Sequence, residues 1–192
     1  METSKIAIKI FVANDVFAHG EFVPVFHRWI QSHALPGHTL IDVADYAHVP
    51  DGPGTVLVSS QANLYTDRGA GRLGLLYARK LPLDGPFSAR LRQVLTDTLK
   101  AAAMLEREPS LDGRLKFRTD ELLIRLDDRL LAPNTAATLA AILPDVESLM
   151  HSIYGQPVKI EHKPSELTLF ELRIKSPKSP AIAAMLEKLS VS

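Results

Sequence analysis

The densest set of residues able to do chemistry lies between positions 50 and 80, PDGPGTVLVSSQANLYTDRGAGRLGLLYARK, which holds five of the chain's ten glycines and one literal GxGxxG, Gly69-Ala70-Gly71-Arg72-Leu73-Gly74. In a dinucleotide fold such a pattern follows a strand and opens a helix whose N-terminus holds the pyrophosphate. Here Gly74 is followed by Leu75-Leu76-Tyr77-Ala78-Arg79-Lys80 and then Pro82, which reads as a strand, so the dinucleotide meaning is lost. A glycine hairpin over phosphates in the kinase manner is excluded too, since the chain has no HRD and no DFG. What remains is a glycine-rich hairpin flanked by Arg68 and Arg72, whose exposed N–H groups suit an anion. The competing reading is a solvated hairpin tip where glycine relieves strain. Tyr65 and Tyr77 flank it and are expected either to stack on a planar ligand or to pair across strands.

Five of the seven histidines, His19, His27, His33, His38 and His48, lie in the first 48 residues, without HExxH or HxH spacing. No metal site is expected. His33 reads as a core or interface residue on the apolar side of a helix, with His27 on its polar side. His48 has Asp45, Tyr46 and Asp51 nearby in sequence, the types needed for a general base and its orienting carboxylate. Ser59 or Ser60, at the end of an apolar run, would be the matching nucleophile, although GxSxG is absent. Asp127-Asp128 reads as a turn or as two exposed charges, because adjacent strand residues point to opposite faces. With no cysteine in the chain, disulfides, thiolate nucleophiles and Cys-based metal sites are excluded.

These residues need a scaffold, and 192 residues supply one compact core or two fused half-domains. Twenty-two basic residues cancel 22 acidic ones, so a general nucleic-acid binder is not expected. The N-terminus alternates lysine with isoleucine rather than forming a signal sequence, and no apolar run reaches the roughly 20 residues of a membrane span. A soluble cytoplasmic protein, bound neither to nucleic acid nor to membrane, is the expectation.

Periodicity predicts strands over 5–12, 40–44, 55–60, 73–81, 115–126, 158–162 and 167–175. It predicts helices over 22–33, 86–108, 134–154, kinked or restarted at Pro144, and from about 179 onward. The predicted fold class is α+β, an antiparallel or mixed sheet with helices on one face, as a tandem duplication of a strand-helix-strand-strand-helix unit. Residues 1–110 would be the first half, with an extra strand and the glycine-rich hairpin, and 111–192 the second; together they make one compact domain. Ile8-Lys9-Ile10 echoes Ile124-Arg125-Leu126, and Ala47-His48-Val49-Pro50 echoes Glu161-His162-Lys163-Pro164.

The leading functional expectation is non-enzymatic binding of a small anionic or planar ligand in a cleft between the halves, lined by Tyr46, His48, Gln61, Asn63, Tyr65, Arg68, Arg72, Tyr77 and Arg79. One alternative is a homo-oligomeric interaction protein using the hairpin and the Phe26-His27-Arg28-Trp29 helix. The other is a hydrolase-like enzyme using His48 and Asp45. No cofactor is implied by any motif.

Overall fold

The computed structural model describes residues 1–18, 20–46, 48–49 and 52–190; His19, Ala47, Pro50, Asp51, Val191 and Ser192 lie outside them. The described residues form β1 (Ile6–Val12), α1 (Val23–Gln31), β2 (Leu40–Asp45), β3 (Thr55–Ser59), β4 (Ala62–Asp67), β5 (Gly74–Arg79), α2 (Phe87–Glu106), β6 (Phe117–Leu126), α3 (Ala136–Tyr154), β7 (Lys159–His162), β8 (Phe170–Lys175) and α4 (Ile182–Ser190). All eight strands join one sheet in the order β2-β3-β4-β5-β1-β6-β8-β7. Every pairing is antiparallel, so the class is α+β with an antiparallel sheet.

β1 and β6 lie side by side at the centre, and each is followed by a helix that carries the chain outward to an edge strand, β2 or β7. From each edge an antiparallel meander returns, through β3, β4 and β5 on one side and through β8 on the other. Short turns suffice for these returns because antiparallel neighbours need no crossover.

One face of the sheet carries the core. Ile6, Ile8, Ile10, Leu64, Leu75, Leu122, Ile124, Leu172 and Ile174 share a cluster with Leu91, Leu95 and Leu99 of α2, Ile142 and Val146 of α3, and Met185 of α4. Burying each such side chain contributes about 1.5–3 kcal/mol, which makes this face the main source of stability. α2 packs on β1 and β5, α3 and α4 pack on α2, and α1 packs against β2. The opposite face has no helix over it among the described residues. There, Ala7, Leu76 and Ala78 form a small separate cluster under Tyr65.

Several elements differ from the sequence expectation. β4 is an additional strand, because Ala62, Leu64 and Thr66 are buried while Asn63, Tyr65 and Asp67 alternate with them on the open face. Its polar residues make ANLYTD read as a loop. β1 is buried on both faces rather than one, with even Lys9 only 2% exposed, since it sits mid-sheet between β5 and β6. α3 does not restart at Pro144 but runs through it as one element, its first turn capped by Thr135 Oγ1, which accepts from the Thr138 N–H at 3.3 Å. His33 is not a core residue: it lies beyond the end of α1, exposed, at φ 50°.

Candidate functional site

The residues expected to line one cleft are distributed over both faces and both ends of the sheet. Tyr65 pairs with Val56 and Leu76 on the open face, whereas Tyr77 pairs with Leu64 and points into the helical core. The two tyrosines therefore neither stack on one ligand nor pair with each other. Tyr77 is 1% exposed, and its hydroxyl lies 2.7 Å from His38 Nε2 and 3.4 Å from Asp97 Oδ2. Burial, followed by the Asp97 charge, raises its phenol well above the ordinary value, which fixes it as a neutral structural group. Asn63 donates to the Tyr65 hydroxyl at 3.0 Å on the open face.

Gln61 and Arg79 sit at one end of β4 and β5. The Gln61 side chain accepts from the Thr39 N–H at 2.8 Å, and Arg79 Nε donates to the Leu81 carbonyl at 2.9 Å, so both brace turns. Tyr46 and His48 lie at the other end, exposed in the β2–β3 connection with rings 6.3 Å apart. Ser59 is buried and closes the β3–β4 turn by donating to the Ala62 carbonyl at 2.5 Å. The length of β3, about 13 Å at strand rise, separates it from the His48 loop, so Ser59 and His48 do not form a nucleophile and base. The proposed oligomer helix is also differently placed, since Phe26 and Trp29 are core residues at 0% and 3% exposure.

The glycine motif folds as a single 3₁₀ turn over Gly69–Gly71. Three of its N–H groups are occupied internally: Gly69 donates to Asp67 Oδ2, Gly71 to the Arg68 carbonyl, and Arg72 to the Gly69 carbonyl. A turn already closed by a carboxylate is no phosphate cradle. Gly74 serves packing instead, because a Cβ there would stand 2.6 Å from both the Ile10 carbonyl oxygen and Lys9 Cε. Arg68 is paired with Asp15 and donates to the Phe17 carbonyl at 2.7 Å, which ties the turn to the segment after β1.

Of the predicted residues, Arg72 leads to a cluster that is invisible in the sequence. It stacks over the Phe11 ring at 4.1 Å and donates both terminal nitrogens to Glu121 of β6, at 2.8 and 2.9 Å. Arg173 Nε lies 3.5 Å from the same carboxylate and Arg118 at 3.9 Å. The hydrogen bond from Arg72 and the surrounding guanidinium charge hold the Glu121 carboxyl below its ordinary range. Three cations therefore share one buried carboxylate on the open face, with Asp120 taking part of the charge of Arg118.

Arg173 also reaches into a groove of about 510 Å³ lined by Leu123, Glu161, Glu171 and Arg173 of the sheet and by Asn134, His162, Lys163, Ser165, Thr168 and Leu169 from the adjoining strand end and loops. Asn134 Nδ2 donates to the Lys163 carbonyl and to Thr168 Oγ1, leaving its Oδ1 to accept from His162 Nε2 at 2.7 Å. That assignment places the imidazole proton on Nε2. The ring lies against Phe170 at 4.8 Å, and burial pushes its pKa below the ordinary value. Within the groove, Glu161 is taken by Lys159 and Lys175 at 2.8 and 3.2 Å, whereas Glu171 and Lys163 have no ion pair of their own among the described residues. This is a concave, polar surface in which Glu171 is balanced only at longer range, by Arg125 opposite it on β6. The repeated His-x-Pro echo was the one sequence signal near it, through His162 and Pro164.

The chain matches no family model, no curated protein and no solved structure. Among the described residues no group of three His, Asp or Glu is arranged to hold a metal, and no helix is long and apolar enough to cross a membrane.

Proposed function

We propose that the protein binds a small anionic ligand, without transforming it, in the groove on the open face that Arg173 shares with the Arg72–Glu121 cluster. The observation that carries this reading is the position of Arg173. Its guanidinium lines a groove of about 510 Å³, within the size range of small-molecule sites, and its single carboxylate contact, 3.5 Å to Glu121, is shared with two other arginines. A guanidinium with donors to spare at a concave surface suits a carboxylate or phosphate. Lys163 adds a second cation to the rim. Among the described residues no hydrogen bond joins Ser165 or Thr168 of the groove to His162. The direct test is calorimetric titration of the purified protein with inorganic phosphate and with small dicarboxylates, comparing the native chain with Arg173→Ala. Binding that is weakened tenfold or more in a folded variant supports the site; equal binding by both proteins rejects it.

The finer architecture belongs to the same reading: two related halves meeting at β1 and β6. Each half runs central strand, helix, edge strand, meander and helix. The echo of Ile8-Lys9-Ile10 in Ile124-Arg125-Leu126 fits a twofold axis through the paired residues Ile8 and Ile124.

A homo-oligomer is favoured by a different observation from the one expected. Leu130 and Leu167, 89% and 85% exposed, come from two loops joined by the bond from Arg129 Nη2 to the Leu167 carbonyl, with half-exposed Leu131 beside them. Sedimentation at several concentrations, with Leu167→Ser as the control, tests self-association through this patch.

A further inference from the structure

We infer that the ligand of this groove is a small zwitterion of net negative charge, of the class of acidic or phosphorylated amino acids, with its acid groups on Arg173 and Lys163 and its ammonium on Glu171. The inference rests on the anion-binding reading above and adds to it the requirement for an ammonium.

A groove whose acids and bases all neutralise one another offers a ligand nothing that water does not. Here Glu161 is held by two lysines and Glu121 by three arginines, so neither is available. Glu171 is different: it stands exposed on β8, opposite Arg125, whose guanidinium is already engaged with Asp127 at 2.5 Å. Arg125 acts on it as a longer-range charge without forming an ion pair, so Glu171 presents its carboxylate to the same groove as Arg173, two residues along the strand and on the same face. The two side chains leave the strand about 6.6 Å apart and on one face, so both can reach a single small ligand seated between them. Lys163, on the loop after β7, supplies the second positive partner, so the groove offers two cations to one anion. Leu123, paired with Arg173 across β6 and β8, lies on the floor beneath and accommodates a methylene chain. A dianion without an ammonium would be repelled by the Glu171 carboxylate, and a plain amine would meet two cations.

The test is calorimetric titration with L-glutamate, L-aspartate and O-phospho-L-serine, set against glutarate and succinate, which keep the acid groups and lack the ammonium. The native protein is expected to bind the amino acids at least tenfold more tightly than their deaminated counterparts, and Glu171→Gln is expected to abolish that preference while leaving the fold unchanged by circular dichroism. Lys163→Ala, at an exposed loop position, is expected to weaken the acidic amino acids several-fold even where Arg173→Ala fails to fold. Deaminated acids bound as tightly as the amino acids, or a preference that survives Glu171→Gln, would overturn the zwitterion while leaving the anion site standing. Failure of every one of these compounds and of inorganic phosphate to bind would overturn both.

Discussion

Arg72 and Glu121 are joined by two parallel hydrogen bonds, 2.8 and 2.9 Å long, and through them the β4–β5 turn is held to β6 across the intervening β1. The pair is geometrically specific because a planar guanidinium matches a carboxylate at two points. Its burial is one-sided, with the Glu121 side chain 5% exposed and that of Arg72 33%.

Glu121→Ala should therefore cost more than Arg72→Ala. Removing the carboxylate leaves three arginines facing one another, a loss of about 3 kcal/mol, at the low end for a broken buried pair because the cations keep access to water. Removing Arg72 leaves Glu121 with Arg173 and Arg118, and about 1–2 kcal/mol is expected. Urea denaturation of both single variants and the double variant measures this, and a coupling energy near zero would show that the pair is incidental.

Tyr77→Phe should lower stability by about 1 kcal/mol through the lost hydrogen bond to His38, and should leave ligand affinity unchanged. A change in affinity without a change in stability would return Tyr77 to the binding surface.

Gly74→Ala and Gly71→Ala separate packing from backbone strain. At Gly74 the added methyl collides with the Ile10 carbonyl and Lys9, for a loss of about 2–3 kcal/mol. At Gly71 there is open space and only the cost of φ +68° for an alanine, about 1 kcal/mol. Equal midpoint shifts for the two variants would contradict the assignment of Gly74 to close strand approach.

The pH dependence of stability should have two separate limbs. Burial depresses the His162 pKa, so the folded state disfavours the imidazolium. Its contribution is fully present above the ordinary value of 6.5 and falls as the pH drops from there through the lower folded value. Glu121, depressed by Arg72, contributes above its ordinary 4.5 and is lost only as the pH falls below that. Denaturation midpoints between pH 7.5 and 5 should decline for the native chain and stay flat for His162→Gln, with the acid limb below pH 4.5 retained. An unchanged slope in the variant would assign the upper limb to another group.

Much of the scaffold was legible in the sequence and most of the site was not. The helices followed from apolar residues at three- and four-residue spacing, as in Leu91, Val94, Leu95 and Leu99, and the strands from runs such as Ile6-Ala7-Ile8. β4 was missed because Asn63, Tyr65 and Asp67 are as polar as loop residues, and only neighbouring β3 and β5 make their alternation meaningful. GxGxxG drew attention to Arg68 and Arg72 for its phosphate chemistry, yet the turn engages its own N–H groups with Asp67 and with the Arg68 and Gly69 carbonyls.

The local chain, then, determined which segments are helix or strand and which faces are apolar, because both depend on spacings of a few residues. Tertiary structure alone decided that Lys9 is buried, that Tyr65 and Tyr77 part to opposite faces, and that Arg72 and Arg173 meet at Glu121 from 49 and 52 positions away. Those contacts are fixed by strand order and register in the sheet, and a one-residue change of register would turn each of these side chains to the other face.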